Sequence, residues 1–122
     1  MVNPAVNHEE KNGVLVVSFE RDANDRASLE IVRQYFANDF FDATDGKQQL
    51  VIDLSGVSTL DSSSLSPLVQ RLREINEDEG KMVLCGIHSQ GLREILSLTR
   101  FDQIFDIYKD ANEAVESVTS SV

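Results

Sequence analysis

The stretch that decides the fold is "LVIDLSGVSTLDSSSL", Leu50 to Leu65. Its first five residues are branched and apolar at nearly every position, which is typical of a β-strand covered on both faces. After a short loop come Asp and Ser, the residues that most often cap helix starts. Apolar residues then recur three or four positions apart, at Leu65, Leu68, Val69, Leu72 and Ile75. That spacing predicts an amphipathic helix after the strand and the loop.

The proline in "DSSSLSP" limits the positions at which this helix can begin. Pro67 has no N–H and would clash with the preceding turn if it lay deep in a helix. A cap at Ser63 or Ser64 would keep Pro67 in the first turn, where no hydrogen bond is lost. Ser62 would then lie just outside the helix, beside Asp61 and near backbone N–H groups that stabilise negative charge. Such a position accepts a phosphate well.

The flanking sequence predicts an alternation of strands and helices. Asn12-Gly13 favours a tight hairpin turn that joins a short strand, Val6 to Glu10, to the apolar run Val14 to Phe19. The further predicted elements are a helix from Arg26 to about Phe41 capped at Asp25, strands Met82 to Ile87 and Ile104 to Tyr108, a helix opened by Ser89, and a closing helix Ala111 to Val118. Gly80 is expected at the left-handed position after the second helix.

By the right-handed crossover rule, this order predicts an α/β fold. The expected architecture is a mixed, mainly parallel β-sheet with an N-terminal β-hairpin and about four helices. The 122 residues fit a single domain, with its core at about residues 14–118.

Composition restricts the function classes. The net charge is −10, from 21 acidic and 11 basic residues, which opposes direct binding to nucleic acid. No signal peptide or membrane-spanning run is present, so a cytoplasmic location is expected. The single cysteine, Cys85, lies in an apolar strand and is expected to be a buried thiol. No phosphate loop or metal-binding Cys/His spacing occurs, so neither a cofactor nor a metal is expected.

The sequence gives little support for a catalytic function. A serine nucleophile at Ser62 needs a base, and only His8 and His88 could serve. His88 is more simply a solvated turn residue. A phosphate-receiver domain would use Asp53 and Lys109, but the acidic pair that would hold Mg²⁺ after the first strand is missing. Asp53 is better interpreted as a strand-end carboxylate bonded to nearby amides, and we expect no enzyme activity.

Together, "LVIDLSGVSTLDSSSL", "KMVLCGI" and "GLREILSLTRF" resemble the STAS domain family, specifically its stand-alone anti-sigma-factor antagonists. The resemblance covers Val14 to Val118. Its most specific element is Asp-Ser, then Ser or Thr, a small residue and Leu after the strand and loop. The matching positions here are Asp61, Ser62, Ser63, Ser64 and Leu65.

The resemblance implies that Ser62 is the phosphorylation site of a partner-switching regulator in signal transduction and transcription regulation. The unmodified domain would bind an anti-sigma factor that is also a serine kinase, and a serine phosphatase would reverse the modification. The segment Asp61 to Leu65 would contact the partner, together with an acidic residue of the loop after the second strand, either Asp22 or Asp25. The sequence does not determine whether the chain forms a homodimer.

The sequence departs from the family pattern at three positions. Ser64 and Arg100 stand where the family usually has glycine, and Pro67 is unusual. The family also contains scaffold subunits of signalling complexes and small subunits of lipid-transport systems. These are the alternative functions, with a phosphate receiver as a further alternative.

Overall fold

The deciding stretch folds into the predicted strand, loop and helix. A computed structural model describes residues 4–120 of the chain. In it, strand β3 (Gln49–Asp53) leads through a loop to the long helix α3 (Ser62–Glu77). The strand is buried on both faces, because Leu50, Val51 and Ile52 are each 0% exposed. Burial of both faces explains its nearly continuous apolar sequence.

The sheet has five strands in the order β1-β2-β3-β4-β5. Strands β1 (Val6–Lys11) and β2 (Val14–Phe19) are antiparallel, while β2, β3, β4 (Lys81–Cys85) and β5 (Ile107–Tyr108) are mutually parallel. This confirms the predicted fold class. The predicted turn is also confirmed, since Asn12 and Gly13 have φ angles of 54° and 82°.

Helices cover both faces of the sheet. Besides α3, they are α1 (Leu29–Gln34), a π-helical turn (Tyr35–Asp39) that leads into α2 (Phe40–Ala43), α4 (Gln90–Leu98), α5 (Phe101–Ile104) and α6 (Ala111–Ser120). Helix α6 packs on the face that carries Val51 and Val83, and the other helices contribute to the larger core on the opposite face. Within residues 4–120, no helix combines the length and apolar composition that crossing a bilayer requires.

The sequence predictions for the start of the first helix and for the extent of the last strand are wrong. Asp25 does not cap the first helix, because Ser28 does so by accepting a hydrogen bond from the Ile31 N–H at 3.3 Å. The strand predicted from Ile104 contains only Ile107 and Tyr108. Of the other predicted strand residues, Ile104 is the last residue of the short helix α5, and the Phe105 N–H donates to the Phe101 carbonyl at 2.9 Å at the end of that helix.

The end of helix α3 differs from the prediction at Gly80. Glu79, rather than Gly80, adopts the left-handed conformation, with φ of 60°. Gly80 is required for another reason, because a Cβ at that position would lie 2.2 Å from the Gln48 carbonyl oxygen. The glycine therefore allows the chain after α3 to pass close to the segment that enters β3.

Arg100 connects helices α4 and α5 in a glycine-like conformation. Its φ of 63° and ψ of 20° lie in the left-handed region, which costs a residue with a side chain about 1 kcal/mol. This position is one at which the resembled family usually has glycine. The structure thus gives a physical reason for that preference.

Replacement of Arg100 by glycine should therefore stabilise the protein. We expect Arg100→Gly to raise the free energy of unfolding by about 0.5–1 kcal/mol, because the backbone strain is relieved. Arg73→Gly is the matched control, since Arg73 is an exposed residue inside helix α3. Glycine is unfavourable at such a position, so this variant should have a free energy of unfolding about 1 kcal/mol below that of wild type. Urea denaturation of the three proteins measures both changes. A lower stability of Arg100→Gly than of wild type would contradict the strain argument.

Candidate functional site

Three loops meet where strands β2, β3 and β4 end. The loop after β2 bonds to the loop after β3 through the Ala27 N–H and the Gly56 carbonyl, at 2.9 Å. The loop after β4 joins them because the Ser89 hydroxyl donates to the Ser58 carbonyl at 2.8 Å. Carboxyl ends of parallel strands are where open α/β sheets place their functional sites. The start of helix α3 lies at this edge.

Asp61 is the N-cap of helix α3. Its carboxylate accepts hydrogen bonds from the Ser64 N–H at 3.2 Å and from the Ser63 hydroxyl at 2.6 Å. The predicted cap at Ser63 or Ser64 is wrong, because the charged carboxylate of Asp61 takes the donors that a serine cap would have taken. Ser62 is consequently the first residue of the helix and does not lie outside it. Pro67 is the sixth, so the Ser63 carbonyl receives no bond from that position.

The helix start separates the three serines. Ser64 is 1% exposed, and the Ser63 hydroxyl donates a hydrogen bond to the Asp61 carboxylate at 2.6 Å. Ser62 is exposed, and no hydrogen bond joins its hydroxyl to another residue in the range 4–120. Leu65 is 7% exposed. Within the predicted contact segment Asp61 to Leu65, only Asp61, Ser62 and Ser63 are therefore exposed to solvent.

Electrostatics favour the ionised form of Asp61. The hydrogen bond from the Ser63 hydroxyl is the largest influence and lowers the pKa of this carboxyl, with the Ser64 N–H acting in the same direction. Arg33 of helix α1 lies across a cavity of about 230 Å³ from Asp61. Its pKa is raised chiefly by Glu30 and further by Asp61. Sequence reasoning missed Arg33, because helical periodicity assigns it only to a polar face.

A groove runs from Ser62 along helix α3. It has a volume of about 550 Å³ and lies between α3 and the corner where α4 meets α5. Its lining includes Ser62, Leu65, Ser66, Val69, Arg73 and Phe101. We call this the serine groove. Because it combines apolar side chains with hydroxyls and a guanidinium, it can accept an amphipathic segment of another protein.

The two candidate acids of the loop after β2 have different surroundings. The Asp22 carboxylate accepts bonds from the Asn24 N–H at 2.8 Å and from the Arg26 N–H at 3.1 Å, so it shapes its own loop. Asp25 is exposed, has a φ of 63° and forms an ion pair with Arg21 at 3.2 Å. Neither acid lines the serine groove.

The residues considered for catalysis are engaged elsewhere or lie outside the serine groove. His8 bonds to the Tyr35 hydroxyl at 2.8 Å, and partial burial lowers its pKa. The Asp53 carboxylate accepts the Ser55 N–H and hydroxyl at 3.0 and 2.7 Å, as its strand-end interpretation predicts. His88 is an exposed loop residue, as expected.

Cys85 is the buried thiol that the sequence predicts. Its side chain is 0% exposed. Desolvation raises the pKa of the thiol, and the negative charge of Asp53 adds to this effect. A thiol in such surroundings stays protonated and is unreactive at neutral pH.

Comparison with known proteins gives consistent similarities. A family model described as STAS domain matches residues 5–114. A protein of Thermotoga maritima, an anti-sigma factor antagonist by name, is 34% identical over 73 residues, which are 60% of this chain and only 64% of that relative. A solved anti-sigma-factor antagonist (STAS) domain protein from Planctomyces limnophilus is 29% identical, with a TM-score of 0.78 over 93% of this chain and 97% of that one. SpoIIAA in its unphosphorylated form shares the fold, with 16% identity, a TM-score of 0.57 and coverage of 97% and 100%.

The capping role of Asp61 leads to a prediction about the stability of the protein. Asp61→Ala should lower the free energy of unfolding by about 0.5–1 kcal/mol at neutral pH, because helix α3 loses its capping acceptor while the exposed site limits the loss. Asp61→Asn keeps a capping acceptor, so its free energy of unfolding should fall less than that of Asp61→Ala. Urea denaturation of the three proteins measures these differences.

The pH dependence follows from the direction of the pKa shift. Because folding lowers the pKa of Asp61, its charge stabilises the protein above the unfolded pKa of about 3.9, and this contribution is lost as the pH falls through the lower folded value. The advantage of wild type over Asp61→Asn should therefore shrink on acidification. An advantage that grows in acid would contradict the assignment.

Proposed function

The chain belongs to the STAS domain family, and we propose that within it the chain acts as a non-catalytic partner switch controlled by phosphorylation of Ser62. In this proposal, the unmodified protein binds an anti-sigma factor with serine kinase activity and so releases a sigma factor or another output. A serine phosphatase resets the switch. The single observation that carries the proposal is the exposed, unengaged hydroxyl of Ser62 at one end of the serine groove.

Ser62 is favoured over its neighbours by accessibility. The Ser64 hydroxyl is buried, and the Ser63 hydroxyl is tied to Asp61 at 2.6 Å. A kinase would have to break the Ser63–Asp61 bond to reach the Ser63 oxygen, and it would have to open the packed start of the helix to reach the Ser64 oxygen. Transfer to Ser62 requires no such change, so the capping network itself directs the modification to one of three adjacent serines.

A phosphate on Ser62 would change the surface more than the fold. Negative charge in the first turn of a helix is favourable, because the helix macrodipole and unpaired N–H groups stabilise it. Helix α3 is therefore expected to stay intact. The phosphate would add about −1.5 to −2 charges next to Asp61, in a chain that already carries −10. Electrostatic repulsion and the cost of desolvating this charge would weaken the binding of a partner that covers Ser62.

The partner would cover the serine groove and the adjoining start of α3. Val69 and Phe101 offer apolar contact, and Arg73 offers a cation. Ser64 and Leu65 are buried, so their contribution to the partner surface would be to position the backbone around Asp61. Of the two loop acids, Asp25 is the better candidate for a partner contact, because the Asp22 carboxylate is occupied by two backbone N–H groups.

Phosphorylation by the cognate kinase tests the site. Incubation with that kinase and ATP should add one phosphate, and Ser62→Ala should abolish its incorporation, as measured by intact-mass spectrometry. Ser66→Ala is the matched control, since Ser66 is an exposed serine one helical turn further along the same groove and should leave incorporation unchanged. Phosphate on Ser63 or Ser64 with Ser62 unmodified would refute the assignment.

The same sample distinguishes the alternatives. Phosphoserine resists hydroxylamine, whereas a receiver domain would carry a hydroxylamine-labile acyl phosphate on Asp53 in a Mg²⁺-dependent reaction. A chain that takes up no phosphate and whose Ser62→Ala variant keeps all its associations would instead be a scaffold subunit or a lipid-transport subunit. The latter should co-purify with an ATPase.

Partner binding provides a second, independent test. Ser62→Asp should weaken the affinity for the anti-sigma factor by at least about tenfold, because it adds a charge within the covered surface. Ser66→Asp adds the same charge one turn away and should have a smaller effect. Isothermal titration calorimetry measures both affinities. An affinity of Ser62→Asp equal to that of wild type would show that charge at Ser62 does not control the association.

A further inference from the structure

A second groove, of about 600 Å³, lies between helix α4 and the edge strand β5. It shares no lining residue with the serine groove. Its apolar wall includes Ile87, Leu96 and Ile107. The volume falls within the roughly 300–1,000 Å³ that is usual for small-molecule sites. We call it the edge groove.

The rim of the edge groove is cationic in an otherwise acidic protein. Two cationic side chains, Arg93 and Lys109, line it, against the single acid Asp102. The Arg93 Nε donates to the Ile87 carbonyl at 3.3 Å, which holds the guanidinium at the rim. Among residues 4–120, no carboxylate lies within ion-pair distance of the Lys109 ammonium. These cations therefore remain available to an anion.

An exposed apolar side chain lies on the wall of the same groove. Ile107, on the edge strand, is 37% exposed and lines the groove. Ile87, which is half-buried, lies on the same wall. These two side chains offer apolar contact area to a ligand.

From this combination, we propose that the edge groove binds a small amphipathic carboxylate. The apolar part of the ligand would cover Ile107 and Ile87, and its carboxylate would pair with the guanidinium of Arg93 and with the ammonium of Lys109. A guanidinium matches a carboxylate in shape and hydrogen-bond geometry. Charge complementarity favours this occupant over a neutral apolar molecule, which would leave both cations without a partner.

Decanoate is a suitable probe of the full chain, because it carries one carboxylate on an aliphatic tail. In ¹⁵N-edited NMR titrations, we expect saturable amide shifts confined to the ends of α4 and β5. Decanol, which has the same tail without the charge, should bind at least about tenfold more weakly. Equal binding of decanol, no saturable shift, or shifts centred on the serine groove would each overturn the proposal.

Variants make the test specific. The double variant R93Q/K109Q should weaken decanoate binding at least about tenfold, and Ile107→Glu should weaken it by introducing a repulsive charge. All three positions are exposed or at a strand edge, so the fold should tolerate the changes. The matched control K11Q/K47Q removes the same charge at the opposite edge of the sheet and should bind like wild type.

An unchanged affinity in R93Q/K109Q would refute the role of the cations. Binding of an acidic extended peptide, without any binding of decanoate, would assign the edge groove to a protein partner and would also overturn the proposal. Neither outcome depends on Ser62, so the Ser62→Ala variant should bind decanoate normally. Failure here would leave the proposed phosphorylation switch unaffected.

Discussion

The burial of strand β3 on both of its faces is the constraint on which the rest of the structure depends. Leu50, Ile52 and Leu54 contribute to the larger core, while Val51 points into the smaller core beneath helix α6. Each fully buried side chain of this kind contributes about 1.5–3 kcal/mol. Because β3 pairs with β2 on one side and β4 on the other, a shift of one residue would exchange the two faces. The position where the strand ends is thereby fixed, and with it the loop that leads to Ser62.

At the end of that loop, a single carboxylate organises the candidate switch. Asp61 accepts hydrogen bonds from the Ser64 N–H and the Ser63 hydroxyl, while Ser64 is buried, which leaves Ser62 as the exposed serine whose hydroxyl has no partner within residues 4–120. The structural role of the aspartate and the availability of the serine are therefore two results of one hydrogen-bond network. In the proposed switch, a phosphate on Ser62 would lie beside this carboxylate, and the carboxylate that caps the helix would also supply the repulsion that weakens partner binding.

Sequence patterns predicted the elements more accurately than their boundaries. Continuous apolar runs identified β2, β3 and β4, since strands buried on both faces leave little room for polar residues. The hairpin was predictable because Asn12-Gly13 encodes its own turn geometry. The short strand β5 was predicted too long, because Ile104 ends a short helix and Phe105 packs into the core rather than into a strand. The predicted helix cap failed because several adjacent residues could supply a suitable oxygen.

The sequence by itself determined the alternation of strands and helices, the mixed sheet and the stretch that holds the candidate site. These features follow from local periodicity and from turn residues, which act over a few positions. Only the tertiary structure decided which hydroxyl is free, where Arg33 and Arg73 lie and how the edge groove forms. Those properties depend on distances between side chains far apart in the chain, and such distances are set by the packing of helices against the sheet.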